Sequence, residues 1–257
     1  MKIYTLTKRG LFLLLVCLLL AVSVIAIVAT TTTKAIETAA APRDIPIYCV
    51  ETDKKQVAIS FDAAWGNEQT ETLLDILKEK NVKSTFFLVG DWVDKYPDSV
   101  KAIAAAGHDI GNHSDTHPHM TQLSDSDKAT EIKNCNEKIK ALTGKSPTLF
   151  RPPYGDYNND VVKAVKNENM YCVQWDVDSL DWKDLSAAEI TNRITSKIQP
   201  GSIVLLHNGA KNTPEALPSI IEGIRAQGYE LVPISELVPK GNYTTDHQGR
   251  MHLSEFD

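Results

Sequence analysis

Three of the chain's seven histidines fall within seven positions, in "HSDTHPHM", residues 113 to 120. His113 and His117 are four apart, so one helical turn after the preceding strand-like run would bring both rings to one side. Two imidazoles so placed suit a divalent ion such as zinc, and Pro118 would stop the turn from continuing. A polar surface loop is the alternative reading of the same residues. His119 breaks the spacing and reads as a supporting or surface group.

Asp62 closes "VAISFD", where a carboxylate is costly to bury unpaired. Arg151 is a candidate partner: beside Asp62 it would hold the carboxylate ionised and lower its pKa, the state required of a metal ligand or a general base. His207 closes "IVLLH", an otherwise apolar run. Alone it is a core histidine. With Asp181 of "DSLDW" against its ring, the tautomer would be fixed and the pKa raised, giving a proton donor. Trp65 and Trp182 sit near these positions, and aromatic faces suit the apolar side of a sugar ring, with ordinary packing as the alternative.

The elements that must position these groups alternate. "VAISFD", "STFFLV", "HDIGNHS", "TLFRPP", "MYCVQWDVD", "SIVLLHN" and "YELVPISEL" are strand-like, and helical patterns separate them. Ser124 with Asp127 marks one helix start, and Gly107 and Gly144 mark helix ends. Strands alternating with helices make parallel sheets with right-handed crossovers. The nearly all-apolar strands fit a sheet covered on both faces. The polar residues Asp62, His113, Arg151, Asp178, Asp181 and His207 fall at the C-terminal ends of different strands. A closed β/α barrel would bring those ends to one face, whereas an open sheet would spread them along an edge. The expected fold is therefore an α/β barrel of seven units over residues 47–240.

At 257 residues and a formal charge of −6, the chain is one domain with additions, and its acidity argues against nucleic acid as partner. Lys2, Lys8 and Arg9 precede "LFLLLVCLLLAVSVIAIVA", residues 11–29, in which Ser23 is the one hydroxyl. About 20 apolar residues span a bilayer core, so the expectation is a single-pass anchor with residues 1–10 inside the cell and the domain outside. A cleaved signal ending near "ETAAAP" is the rival reading. Residues 30–46 read as a stalk and 241–257 as a flexible tail. Cys17 lies in the apolar run. Cys49, Cys135 and Cys172 show no CxxC spacing and read as small buried residues, though an exported chain could pair two of them.

"ISFDAAWG", "HSDTHP", "RPPYG", "DSLDW" and "LLH", in that order and spacing, resemble the five motifs of the polysaccharide deacetylases, the NodB-homology or carbohydrate esterase family 4 enzymes. The likeness covers about residues 55 to 238, and the membrane-anchored, PdaB-like subgroup associated with sporulation and the cell wall is the most similar. It implies a distorted (β/α)7 barrel acting as a monomer on a cell-wall polysaccharide, with a divalent metal, zinc or alternatively cobalt or nickel. It implies removal of N-acetyl groups from N-acetylglucosamine or N-acetylmuramic acid units. Residue by residue, it makes Asp62 the base, His113 and His117 metal ligands, Arg151 the tether of the base and Tyr154 an oxyanion donor through its backbone N–H. Asp181 would orient the acid, His207, and Trp65, Tyr154, Trp182 and Leu205 would contact the sugar. One departure matters: Ala63 stands where the family pattern has a second, metal-ligating Asp, so either Asp62 serves as ligand and base in turn, or a water fills the position, or metal affinity and rate are reduced. Two other classes stay open, a weakened, non-enzymatic glycan-binding protein on the same fold and a structural envelope protein.

Overall fold

The computed structural model describes residues 43–253 together with Arg9, residues 16–26 and Val28. The chain divides into two units, Met1–Arg43 and Asp44–Asp257. In the first, residues 16–26 are helical and exposed, and the Ser23 hydroxyl donates to the Leu20 carbonyl at 2.8 Å, which satisfies it within the helix. The expected membrane span 11–29 lies partly outside the described residues. Among those described, no helix is long and apolar enough to cross a membrane.

In the second unit the strands are β1 (Cys49–Val50), β2 (Gln56–Ala63), β3 (Thr85–Leu88), β4 (Asp109–Asn112), β5 (Leu149–Phe150) and β6 (Tyr171–Cys172). They continue with β7 (Val177–Asp178), β8 (Ile203–His207), β9 (Glu230–Leu231), β10 (Tyr243–Thr245) and β11 (Arg250–Leu253). The main sheet has the order β6-β5-β4-β3-β2-β8-β7, with β9 added at the start of β2, and its pairings are parallel. Helices join most successive strands, as the alternating pattern requires.

The packing follows the period of two along each strand. On β2, Val57, Ile59, Phe61 and Ala63 join the main core cluster with Leu73 and Leu77 of helix Thr70–Glu79 and Ile220 of helix Thr213–Ala226. Ala58 belongs instead to a second cluster with Phe87, Val173 and Ile203. Ser60 and Asp62 share the parity of Ala58, and the site is built on that side. Helix boundaries sit where the capping residues place them. Ser124 accepts the Asp127 N–H at 3.2 Å, and Gly144 ends helix Asp125–Thr143 in the left-handed region.

The sheet does not close into the expected barrel. "MYCVQWDVD" is two strands, not one: β6 and β7 follow each other in the chain but lie at opposite edges of the sheet. Residues 173–176 cross between them. The residues just ahead of β2 bridge this slot. Ile47 donates to the Cys172 carbonyl at 2.8 Å and accepts the Gln174 N–H at 2.7 Å, while the Val50 N–H donates to Gly201 at 3.0 Å. Gly201, at φ 81°, leaves no room for a Cβ beside the Val50 carbonyl.

Two other boundaries differ from expectation. The segment read as a flexible tail supplies β10 and β11, and β11 pairs in parallel with β1. Of the segment read as stalk, residues 30–42 lie outside the described residues, but Asp44 pairs with Lys166 at 2.9 Å and Ile45 accepts the Thr245 hydroxyl at 2.8 Å. Long-range hydrogen bonds, invisible to local composition, order both ends. Cys49, Cys135 and Cys172 are buried and unpaired, as small core residues are. Burial raises the pKa of Cys49 to about 11 and of Cys172 to about 12, so both remain thiols.

Candidate active site

The polar residues at the strand ends converge on one cleft of about 610 Å³. Asp62, Trp65, His113, His117, Tyr154, Asp178, Trp182, Leu205 and His207 line it, together with Ala64 and Trp175. Arg151 and Asp181 lie behind this wall, fully buried.

Arg151 leaves β5 and reaches under the sheet's concave face. Its Nη1 donates to Asp62 Oδ1 at 2.7 Å, and its Nη2 donates to Ser60 Oγ at 2.9 Å and to the Gln174 carbonyl at 3.1 Å. The guanidinium lies over Phe87, 4.0 Å from the ring centroid. Burial alone would raise the Asp62 pKa, but the charge of Arg151 outweighs it, helped by His113, His207 and the Arg151 hydrogen bond, and the pKa is lowered. Asp62 is an ionised carboxylate.

The opposite shift occurs on the neighbouring strand β8, where His207 pairs in register with Asp62. His207 Nδ1 is 2.7 Å from Asp181 Oδ1. A carboxylate only accepts, so Nδ1 carries the hydrogen and Nε2 is left for chemistry. Asp181 is itself fixed: its Oδ2 accepts the His207 N–H at 2.8 Å and the Thr213 hydroxyl at 2.6 Å. Burial works against a charged imidazole at His207, but the Asp181 hydrogen bond and charge, with Asp62 and Asp178, overcome it and raise the pKa. Trp65 packs beside this ring, at 5.0 Å between centroids.

The histidine pair forms by a route other than the expected helical turn. Residues 113–118 are loop, and His117 adopts φ 61°. The His117 N–H donates to Ser114 Oγ at 3.0 Å, while Glu131 accepts the N–H groups of Asp115 and Thr116, each at 2.8 Å. The rings meet with centroids 4.9 Å apart. His113 Nδ1 lies 2.7 Å from the Arg151 carbonyl, which leaves Nε2 unprotonated beside Asp62 Oδ2 at 3.4 Å. Burial lowers the pKa of both, that of His117 to about 4, so both rings are neutral, as metal ligands must be. His119 stands outside this group and stacks on Tyr154 at 4.4 Å.

Two donors therefore fit a metal ion, and a third does not complete the set. Asp62 is held by Arg151, and among the described residues no group of three or more His, Cys, Asp or Glu side chains is arranged to hold an ion. Ala63 is buried in the core on the helix side, whereas Ala64, half-exposed, lines the cleft. The strand continues through Ala63, so its parity turns that side chain away from Asp62. This yields a test. Ala64→Asp should raise zinc retained after dialysis towards one ion per chain, while Ala63→Asp should gain none and lower stability by roughly 2 kcal/mol or more from burying a carboxylate. Zinc gained by Ala63→Asp alone would refute the assigned facing.

Ser60, Thr213, Gln174 and Trp175 also belong to the site and were not singled out from the sequence. Ser60 was legible, since it shares the parity of Asp62 on one strand. The others reach the site from loops and a helix start, where no local pattern marks them.

The polysaccharide deacetylase family model matches residues 50–173. The peptidoglycan-N-acetylglucosamine deacetylase of Bacillus cereus is 36% identical over 189 residues, covering 72% of this chain and 69% of that protein. The chain belongs to the polysaccharide deacetylase family. A second relative, the uncharacterised Bacillus subtilis protein YlxY, is 38% identical over 193 residues, covering 75% of this chain but only 60% of that protein. Among solved structures, a pseudoenzyme of carbohydrate esterase family 4 from Bacillus anthracis superposes with a TM-score of 0.73 at 39% identity, covering 75% of this chain and 68% of that one. A mutant of that pseudoenzyme is described as having restored enzymatic activity. The curled, open parallel sheet of this chain is the fold those solved relatives share.

Proposed function

We propose that this chain is an amide hydrolase that removes N-acetyl groups from N-acetylglucosamine or N-acetylmuramic acid units of peptidoglycan, in the sporulation-associated setting of the subgroup it resembles. One observation carries the proposal: an ionised carboxylate and a protonatable imidazole, with pKa values pushed apart by separate buried partners, line one cleft. Binding alone has no use for an oriented acid. In the proposed reaction, water adds to the acetyl carbonyl carbon as Asp62 takes its proton, and the Tyr154 backbone N–H donates to the oxyanion. Nε2 of His207 then protonates the amide nitrogen as the C–N bond breaks, releasing acetate and a free amine. Exposed Trp65, Tyr154 and Trp182 at the rim would hold the sugar ring, with Leu205 at the floor. A divalent ion held by His113 and His117, zinc in preference to cobalt or nickel, would supply acidification of the attacking water, which suits a base whose pKa Arg151 holds down.

The missing third ligand and the Bacillus anthracis relative favour a second reading, a peptidoglycan-binding protein with weakened catalysis. Acetate release from N-acetylglucosamine oligomers and from peptidoglycan, measured with zinc, with cobalt and with chelator, separates the two. Release supports the first reading; retention of peptidoglycan with no release under any condition supports the second. The proposal also places the domain, as a monomer, outside the cell membrane on its N-terminal apolar segment. Protease added to intact protoplasts should then remove the domain, and full protection would contradict that placement.

A further inference from the structure

Gln174 is buried in the segment that crosses the slot between β6 and β7, and the reaction above does not use it. Its backbone N–H donates to Ile47 at 2.7 Å, and its carbonyl accepts Arg151 Nη2 at 3.1 Å. Its side-chain Nε2 donates to the Gly155 carbonyl at 3.0 Å, while Oε1 is buried without a partner. One residue thus touches both ends of "RPPYG", Arg151 through its main chain and Gly155 through its side chain.

The turn at that second contact is not one the chain adopts freely. Tyr154 has φ 60° and ψ 7°, and Gly155 follows at φ 67°. Two successive left-handed residues, the first carrying a bulky side chain, persist only where the surroundings hold them. Gly155 and Asp156 donate to the carbonyls of Pro152 and Pro153 within the turn. The bond from Gln174 ties the turn to the rest of the domain. Trp175 closes behind it, with its ring edge 3.1 Å from where a Cβ on Gly155 would stand. A buried amide whose donor is used while its acceptor is idle is present for its donor.

We infer that Gln174 is a positioning residue: its side-chain amide holds the left-handed Tyr154–Gly155 turn so that the Tyr154 N–H meets the developing oxyanion, while its main chain braces Arg151. The kinetic part rests on the deacetylase reading; the structural part does not. Gln174→Met keeps the volume, removes the donor and leaves the main-chain carbonyl to Arg151.

The expected result is a fall in kcat of roughly tenfold or more with KM changed less than about twofold, because an oxyanion donor acts in the transition state. The acid limb of the pH profile should stay in place, because Arg151 still holds Asp62. Hydrogen exchange of amides 154–156 should speed up by about fivefold or more, with the amides of β2 and β8 unchanged. Exchange is read on the same proteins whether or not the wild type releases acetate, so an inactive wild type defeats the deacetylase reading and leaves this inference to the exchange data. Unchanged exchange at 154–156 in Gln174→Met overturns it, as does a general rise in exchange across the domain. In an active wild type, an unchanged kcat does the same.

Discussion

His207→Ala is expected to lower kcat by roughly 10²- to 10⁴-fold with little change in KM, the scale on which a positioned general acid acts. The leaving amine needs a proton as the C–N bond breaks, and His207 Nε2 is presented by a ring whose other nitrogen is committed to Asp181 at 2.7 Å. Asp181→Asn keeps an acceptor oxygen but removes the negative charge that favours the imidazolium, so it should lower kcat by less than His207→Ala. The double variant should match His207→Ala alone, because Asp181 acts only through His207. The pH profile adds an independent check. The folded-state pKa of His207 is raised, so the acid is protonated below that value and activity falls as pH rises through it. The alkaline limb should lie above the ordinary histidine value of about 6.5 and move down in Asp181→Asn. Losses that multiply in the double variant would mean that the two residues work independently. Full activity in His207→Ala would return this histidine to the core.

The second large effect is on stability. Arg151→Met is expected to cost about 3–5 kcal/mol in urea unfolding at neutral pH, as found for one broken partner of a buried ion pair. Arg151 is fully buried, and removing it strands Asp62 and the Gln174 carbonyl, while the Ser60 hydroxyl keeps its bond to the Val204 carbonyl at 2.8 Å. Replacing both charges, as in Arg151→Met with Asp62→Leu, should recover most of the loss, because no uncompensated charge remains. The sign with pH follows from the lowered pKa of Asp62. Its pairing contributes above the unfolded carboxylate value of about 3.9 and is lost as pH falls through the lower folded value. The gap between wild type and Arg151→Met should therefore narrow below about pH 4. A cost under about 1 kcal/mol would show that water reaches Asp62 and that the pair is effectively exposed.

Much of the site was legible because strand ends can be read locally. Asp62 and His207 terminate apolar runs, and the structure places both at the C-terminal ends of paired strands, opposite each other in the β2–β8 register. The helix boundaries at Ser124 and Gly144 were equally legible, since a cap is a contact within a few residues. The His113–His117 pair came together, but through a left-handed residue in a loop and not through a helical turn. Spacing predicted the meeting of the rings and not the backbone that produces it.

The chain's own pattern of apolar runs, caps and charges determined a parallel α/β domain with its chemistry at one end. That information is local, because burial parity and capping act over a few residues. Only the tertiary structure decided that the barrel stays open between β6 and β7, that residues 44–50 bridge the slot, and that the C-terminal strands pair with β1. It alone turned Ala63 into the core and Ala64 to the cleft, and brought Gln174 against both Arg151 and Gly155. Those outcomes depend on contacts such as Arg151 to Asp62, 89 residues apart, and Thr245 to Ile45, 200 residues apart. Sheet twist and the competition of many distant groups for one buried volume set such contacts, and no local run of residues records them.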